Sequence, residues 1–129
     1  MAYSKNKRQL RKFGRLFGVT MPNANSPELP RAQLRYWIKS NERAISLGRK
    51  LLGDRFFLIN FDQLVLSPED ELNSLIKFLD LDAEKINAEN LKSLIKVPAS
   101  IGRYKKHDMT IFSNEDFEAV RKFGFSVEI

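Results

Sequence analysis

Hydrophobic residues recur every three or four positions through much of the chain, which is the spacing of helices with one buried face. The longest such stripe predicts a helix over about residues 30–52, and Gly53 supplies the glycine that commonly ends a helix. We expect the Asn41 amide on this face to bond to a neighbouring loop and Trp37 to pack in the core. The residues on the stripe are Leu34, Ile38, Asn41, Ile45, Gly48 and Leu52, with Trp37 beside them.

Shorter segments with helical spacing lie on either side. A basic helix is predicted at residues 4–17, followed by a loop at 18–30 that is rich in Pro, Asn and Ser. Ser67-Pro68 is a helix start, because serine caps and proline suits the first helical position. The apolar face of this helix would be Leu72, Leu75, Ile76 and Leu79.

The last third of the chain predicts two helices around a long loop. A short helix is expected at 87–96, and the loop occupies 97–112. Ser113 begins a capping signal for a helix that stops at Gly124. The residues expected to point inward from the short helix are Leu91, Leu94 and Ile95.

The segment 55–61, RFFLINF, is a short apolar run without alternation, which is typical of a strand buried on both faces. A buried strand needs hydrogen-bonding neighbours on both sides, and the tail at 125–129 is the best other strand candidate. Either a second copy would complete the sheet or the chain is part of a larger α/β protein, and we favour the larger protein.

Charge and composition indicate an affinity for anions in the first half of the chain and exclude several kinds of metal and disulfide site. Residues 1–56 carry a net charge of +10 and residues 57–129 carry −4, so the first half is able to attract phosphates. The chain has no cysteine and one histidine, His107, which excludes a disulfide framework, a thiolate metal site and a two-histidine metal site within it. His107 lies in a charged Lys-Lys-His-Asp segment, and we do not expect it to be catalytic.

Four segments, in this order, resemble the C-terminal half of the sulfotransferases that use 3′-phosphoadenylyl sulfate (PAPS). A Trp-x-x-x-Asn helix comes first, and Phe61-Asp62-Gln63-Leu64 is similar to a Tyr-Glu-Asp-Leu box that ends a strand. A helix with the family's Pro and Leu spacing follows over 68–81, and residues 100–105 resemble its Ser-x-Gly-Arg-Trp-Arg/Lys loop. The ending Phe-Gly-Phe at 123–125 is similar to the family's closing aromatic-Gly-aromatic stop.

The resemblance implies an α/β fold. The chain would be the C-terminal part of a P-loop-like three-layer sandwich, mostly helical, with 55–61 as its one central parallel strand. Residues 1–129 would form a single partial domain. Its parts would be the basic helix 4–17, the loop 18–30, the core 31–96, the nucleotide-side loop 97–112 and the closing helix 113–124.

The resemblance also implies nucleotide-binding residues and no catalytic residue. Phe61 would lie against the adenine, although a core aromatic is the alternative. Arg103 suits a 3′-phosphate because a guanidinium donates two parallel hydrogen bonds, and a solvated loop arginine is the alternative. We expect the loop 98–106 to fold back so that Arg103 lies near Phe61 or Ser4. The implied set is Ser4, Phe61, Ser100, Gly102, Arg103 and Lys105.

The implied activity is transfer of a sulfuryl group from PAPS to a hydroxyl or amine acceptor. The family's loop for the 5′-phosphosulfate, commonly Pro-Lys-x-Gly-Thr-Thr-like, is absent from the 129 residues, and the usual base would precede Met1. We therefore expect the chain to be a C-terminal portion that is inactive alone and binds PAPS weakly or not at all. The missing N-terminal half or a second copy would be its partner.

Two other functions stay open from the residues alone. The basic segment 5–15 suits a small nucleic-acid-binding module, and a non-catalytic remnant that folds alone or by pairing strands is the third possibility. No apolar run approaches the ~20 residues of a membrane span, and the start is too polar for a signal peptide. We expect a cytoplasmic protein.

Overall fold

Helices account for all of the regular structure in the part of the chain that the computed structural model describes, residues 12 and 14–127. Positions 12 and 14–16 are helical. Five further α-helices follow: α1 (Leu29–Leu52), α2 (Phe61–Leu66), α3 (Pro68–Phe78), α4 (Ala88–Leu94) and α5 (Asn114–Arg121). Single 3-10 turns lie at Gly53–Arg55, Ala83–Lys85 and Arg103–Lys106.

The long helix α1 confirms the predicted helix, but its stripe is only partly buried. Leu52 is 45% exposed, and Trp37, which was expected in the core, is 36% exposed. The helix ends at Leu52, and Gly53 leaves the helix with a φ of 55°, a conformation that glycine adopts without steric cost. Ile38 is buried as predicted. The expectation for Asn41 is wrong, because its amide donates to the Trp37 carbonyl at 2.8 Å, within the same helix and not to a loop.

The predicted strand at 55–61 is wrong, and the α/β sandwich built around it is wrong with it. The backbone is extended at Phe56 and Asn60, but no residue between them pairs with another strand in the described part of the chain. Leu58 and Ile59 are 50% and 38% exposed, so the segment does not have two buried faces.

Side-chain packing explains why this apolar run is not a strand. The Phe56 ring lies against the backbone of Gly48 in α1, and the Phe57 ring stacks on Phe78 of α3 at 4.8 Å between centroids. The run therefore buries its aromatic rings against helices. Asn60 then starts α2, because its Oδ1 accepts hydrogen bonds from two backbone N–H groups of the first turn.

The pair α2–α3 is the first of two packing units. Val65 of α2 and Leu72 and Ile76 of α3 are buried, and the two helices are in contact. Helix α3 begins at Pro68 as predicted, with three acidic residues in its first turn that suit the helix dipole. The capping role predicted for Ser67 is wrong, because its side chain makes no capping hydrogen bond. The Lys92 ammonium of α4 binds the Glu69 carboxylate, and Leu94 is 75% exposed instead of pointing inward.

The second unit is α1 with α5. Ser113 and Asp116 form the predicted capping box at the start of α5, and Gly124 has a φ of 83° in the turn after its end. Phe117 of α5 and Ala32 of α1 are buried. Among the helices of the described residues, none has both the length and the apolar character needed to cross a bilayer.

Candidate functional site

A cavity of about 740 Å³ lies between the first half of α1, α5, the loop 97–112 and the segment 125–127. Pockets of roughly 300–1,000 Å³ are the size that binds small molecules in proteins. The helices α1 and α5 supply two walls, and the loop and the C-terminal segment supply the others. This cavity is the candidate site.

Four aromatic side chains contribute to the apolar lining of the cavity. The Trp37 ring meets Phe125 edge to face at 5.6 Å, and Phe112 lies 6.2 Å from Phe117. These four rings all line the cavity. Edge-to-face pairs hold rings in fixed orientations, so the cavity has a rigid aromatic wall.

Polar groups lie at one side of this wall. Asp62 from α2, Tyr104 from the 3-10 turn, and His107 and Asp108 from the loop also line the cavity. No lysine or arginine is among the described residues that line it. The described part of the lining therefore places carboxylates, a phenol and an imidazole next to aromatic rings, without a lysine or an arginine.

Asp62 lies in the first turn of the short helix α2 and is half-buried. Its backbone N–H donates to Asn60 Oδ1 at 3.0 Å. Within residues 12 and 14–127, the Asp62 carboxylate makes no hydrogen bond and no ion pair. A partly buried carboxylate without a partner is free to bind a cation or a hydrogen-bond donor.

Asp108 has a local partner. Its Oδ1 accepts hydrogen bonds from the backbone N–H of Thr110 at 2.9 Å and from the Thr110 hydroxyl at 2.6 Å. Both bonds stabilise the ionised carboxylate and therefore lower the pKa of Asp108 below its ordinary value. The bond from the hydroxyl has the larger effect, and the bond from the backbone has the smaller one. Asp108 is exposed and stays ionised at neutral pH.

Asp116 fixes the two helical walls relative to each other. The Arg31 Nε of α1 donates to Asp116 Oδ2 at 2.7 Å, and the same oxygen accepts from the backbone N–H of Ser113 at 2.9 Å. Burial by itself raises the pKa of Asp116, but the hydrogen bonds from Ser113 and Arg31 outweigh it and the pKa is lowered. The carboxylate therefore stays charged while it is 6% exposed.

The predicted nucleotide loop is a turn followed by one 3-10 turn, Arg103–Lys106. Gly102 has a φ of 70°, and the N–H groups of Arg103 and Lys105 donate to the carbonyls of Ser100 and Gly102 at 3.1 Å. The side chains of Arg103 and Lys105 are exposed. Tyr104 and His107 line the cavity, whereas Arg103 and Lys105 are not among its lining residues.

None of the predicted site residues that the structure describes lines the cavity, although two of their sequence neighbours do. Phe61 is the first residue of α2 and is 55% exposed, and its neighbour Asp62 shares the cavity with Tyr104. The loop 98–106 and the start of α2 therefore meet at one site. Direct approach of Arg103 to Phe61 stays a prediction, and Ser4 lies outside the described residues, as does most of the basic helix 4–17.

His107 is the residue that sequence reasoning set aside and the structure places in the cavity. Its charged neighbours indicated a solvated loop, and its side chain is indeed exposed. The spacing of His107 from Tyr104 could have indicated that the two residues share a site, because they are one helical turn apart. In the structure the backbone N–H of His107 donates to the Tyr104 carbonyl at 2.9 Å. Among the described residues, no three His, Cys, Asp or Glu side chains are grouped to hold a metal ion.

The comparison with protein families decides the class. The sequence model of the sulfotransferase family matches residues 6–85, more than half of the chain. The chain belongs to the sulfotransferase family. No curated protein and no solved structure shows significant similarity to it.

The residues matched by the sulfotransferase family model include the first three of the segments on which the resemblance rests. The matched residues contain Trp37 and Asn41, the box at 61–64 and the helix from Pro68. The loop 100–105 lies beyond them, so its role rests on its sequence and its place at the cavity. The alternative of a nucleic-acid-binding module has no support from the comparisons.

Proposed function

We propose that this sulfotransferase chain binds the nucleotide of PAPS on the basic turn at residues 103–106 and an acceptor molecule in the cavity beside it. The observation that carries the proposal is the separation of charge between two adjacent surfaces. Three exposed cations, Arg103, Lys105 and Lys106, stand on the turn, whereas the cavity lining has no lysine or arginine among the described residues. An anionic donor and an uncharged or cationic acceptor would then be bound side by side.

The basic turn suits the 3′-phosphate of the nucleotide. The Arg103 guanidinium is able to donate two parallel hydrogen bonds to one phosphate, and Lys105 adds a second positive charge. Gly102 permits the tight backbone turn that presents both side chains. Ser100 would add a hydroxyl donor. Phe61 offers an exposed ring on which an adenine is able to stack.

The 5′-phosphosulfate does not have a comparable site among the described residues. Anions of this kind bind to backbone N–H groups at the start of a helix, usually after a glycine-rich loop. The first turns of α3 and α5 carry acidic residues instead, which repel an anion. The six glycines lie at 14, 18, 48, 53, 102 and 124, and none precedes the first turn of α1, α3 or α5.

We therefore expect these 129 residues alone to bind nucleotide without transferring sulfate. PAPS would supply a sulfuryl group whose sulfur bonds to the acceptor oxygen as its bond to the 5′-phosphate oxygen breaks, while the acceptor hydroxyl loses its proton. Fixing the phosphosulfate in line with the acceptor is what such a transfer requires. Turnover of PAPS by the purified chain with a range of phenols and amines would disprove this expectation.

Binding of adenosine 3′,5′-bisphosphate to the chain, measured by isothermal titration calorimetry, tests the nucleotide site. Arg103→Ala should remove a charge-assisted contact of about 1.5–3 kcal/mol, roughly a tenfold to hundredfold loss in affinity. The matched control is Arg43→Ala, an exposed arginine in the middle of α1 and outside the cavity lining. Adenosine 5′-monophosphate is the matched ligand, since it lacks the 3′-phosphate.

The two ligands distinguish a specific contact from general attraction to a basic protein. If Arg103 holds the 3′-phosphate, Arg103→Ala weakens the bisphosphate and leaves the monophosphate unchanged. Equal weakening of both ligands by Arg103→Ala and by Arg43→Ala would show that the turn contributes only net charge. Unchanged affinity in Arg103→Ala would remove Arg103 from the site.

A further inference from the structure

We propose that the cavity selects an arylalkylamine, a molecule with an aromatic ring joined through a short chain to a protonated amine. The inference deepens the proposed function, because it names the class of acceptor for the same site. Binding of such a molecule depends only on the cavity, whereas its sulfation rests on the proposed function.

The walls of the cavity favour a flat apolar group. Trp37, Phe112, Phe117 and Phe125 line it from four different parts of the chain, and Leu34 and Val120 also line it. Aromatic ligands gain edge-to-face or offset contacts from such rings in addition to the burial of apolar area. A volume of about 740 Å³ accommodates one phenyl or indole ring with a side chain.

The charges of the cavity favour a cation. Asp62 and Asp108 both line it, and no lysine or arginine does so among the described residues. The Asp62 carboxylate is half-buried and has no partner within residues 12 and 14–127. An ammonium placed beside Asp62 would remove an uncompensated charge, and the faces of Trp37 and Phe125 would add cation–π attraction.

Three arginines of α1 and α5 do not take this place. Arg31 binds Asp116 at 2.7 Å, and Arg35 lies 3.9 Å from the same carboxylate. Arg121 binds Glu118 at 2.7 Å. These arginines are directed to partners in α5, so the chain provides Asp62 with no internal counter-ion among the described residues.

The negative charges of Asp62 and Asp108 also indicate that anionic acceptors bind poorly and that a hydroxyl, not the amine, receives the sulfuryl group. A carboxylate or sulfate on the acceptor would meet Asp62 and Asp108, and like charges in a partly dry site repel each other. A protonated amine has no lone pair, so it serves as the anchor. The sulfuryl group would therefore go to a hydroxyl on the same molecule.

Intrinsic fluorescence gives a direct assay, because Trp37 lines the cavity and is the one tryptophan of the chain. The probes are 2-phenylethylamine, the uncharged 2-phenylethanol and the anionic 3-phenylpropanoate, titrated at pH 7 with excitation of the indole. We expect the amine to bind about fivefold or more tightly than the alcohol, and the carboxylate to bind more weakly than both. Ligand-observed NMR with the same three probes measures binding where fluorescence is silent.

Two variants assign the effect to the cavity. Asp62→Asn should reduce the preference for the amine over the alcohol, because Asp108 and the aromatic rings remain. Asp54→Asn, at an exposed acid in the 3-10 turn after α1, should leave that preference unchanged. Phe125→Leu should weaken all three ligands, because it removes part of the aromatic wall, and it should weaken the amine most, because the amine also loses a cation–π contact. Circular dichroism confirms that each variant keeps its helices.

Three results would overturn the proposal. One is binding of 2-phenylethanol as tight as that of the amine, another is a preference for the amine that Asp62→Asn leaves undiminished, and the third is no binding of any probe by either method. The nucleotide experiment gives an independent answer. Selective amine binding without any affinity for adenosine 3′,5′-bisphosphate would support this inference and refute the proposed nucleotide site. Binding of the bisphosphate without selective amine binding would support the nucleotide site and refute this inference.

Discussion

Asp116 shows how one buried charge organises the walls of the candidate site. Its carboxylate accepts from Arg31 of α1 and from the backbone and hydroxyl of Ser113, at distances between 2.7 and 3.1 Å. The same guanidinium donates to Ser113 Oγ at 3.0 Å. Charge-assisted bonds of this kind hold two elements in one orientation, so Asp116 couples the start of α5 to α1.

Removal of this carboxylate should destabilise the chain. Asp116→Ala removes several charge-assisted hydrogen bonds and leaves the Arg31 guanidinium without its partner, which should cost about 2–3 kcal/mol of unfolding free energy. Asp70→Ala, at an exposed position in the first turn of α3, is the matched control and should cost less than about 1 kcal/mol. Urea denaturation followed by circular dichroism measures both. Equal losses in the two variants would contradict the role of Asp116.

The lowered pKa of Asp116 also predicts a pH dependence. The folded-state pKa lies below the ordinary value of 3.8, so the unfolded chain binds the proton more readily. The stabilisation is therefore fully present above the unfolded-state pKa, and it is lost as the pH falls through the folded-state pKa.

The isosteric, uncharged variant Asp116→Asn isolates this contribution. The difference in unfolding free energy between the parent chain and Asp116→Asn should be constant at pH 6–7 and should shrink below about pH 4. Glu69 and Asp108 also have lowered pKa values, but both variants contain them, so their effects cancel. A difference that grows towards acid pH would reverse the sign and refute the assignment.

Single residues were predictable where the signal is local. Gly53 after α1 and Ser113 before α5 act on backbone groups within a few positions, and the structure confirms both. Leu94 and His107 depend on what is packed beside them. A helical apolar spacing did not reveal that no element covers Leu94, and a charged neighbourhood did not reveal that His107 borders a cavity.

At the scale of elements, the segment 55–61 shows that a preference for an extended backbone is not enough to form a strand. Its apolar and aromatic residues indicated an extended backbone, which Phe56 and Asn60 adopt. A strand additionally requires a neighbour, and hydrogen-bonding partners far along the chain leave no mark in a short apolar run. Helix α2, which begins at Phe61, was missed because six residues are too few to show a period.

Gly48 is the point at which this segment meets α1. A Cβ built on Gly48 would collide with the Phe56 ring. Gly48→Ala should therefore destabilise the chain by about 1–3 kcal/mol through overpacking, although alanine favours an exposed helix by about 1 kcal/mol over glycine. Thermal and urea denaturation measure the net effect.

The double variant makes this prediction specific. Phe56→Ala removes the ring, so Gly48→Ala introduced into that background should be neutral or stabilising. Ser46→Ala, an exposed position of the same helix, serves as the control for helix propensity. If Gly48→Ala stabilises the parent chain as well, the Phe56 ring does not lie against Gly48 in solution.

At the scale of the whole molecule, the chain exposes more surface than a compact protein of its mass. Its accessible surface is 10334 Å², whereas the scaling for folded monomers gives about 7,000 Å² for 15 kDa. Seven apolar residues are buried among those described, and thirteen large ones are at least 36% exposed. The sequence showed enough hydrophobic residues for a core, but composition does not tell which of them meet a partner.

This balance predicts a marginal fold with accessible apolar surface. The chain should bind the dye ANS under native conditions. The slope of its unfolding free energy against urea concentration should lie near the low end of the usual ~1–3 kcal/mol/M. Leu94→Gln alters an exposed residue and should reduce dye binding while it changes stability by less than about 0.5 kcal/mol. Leu72→Gln places an amide in the buried face of α3 and should unfold the chain or cost more than about 2 kcal/mol. A steep urea transition together with no dye binding would mean that these apolar side chains are covered in solution.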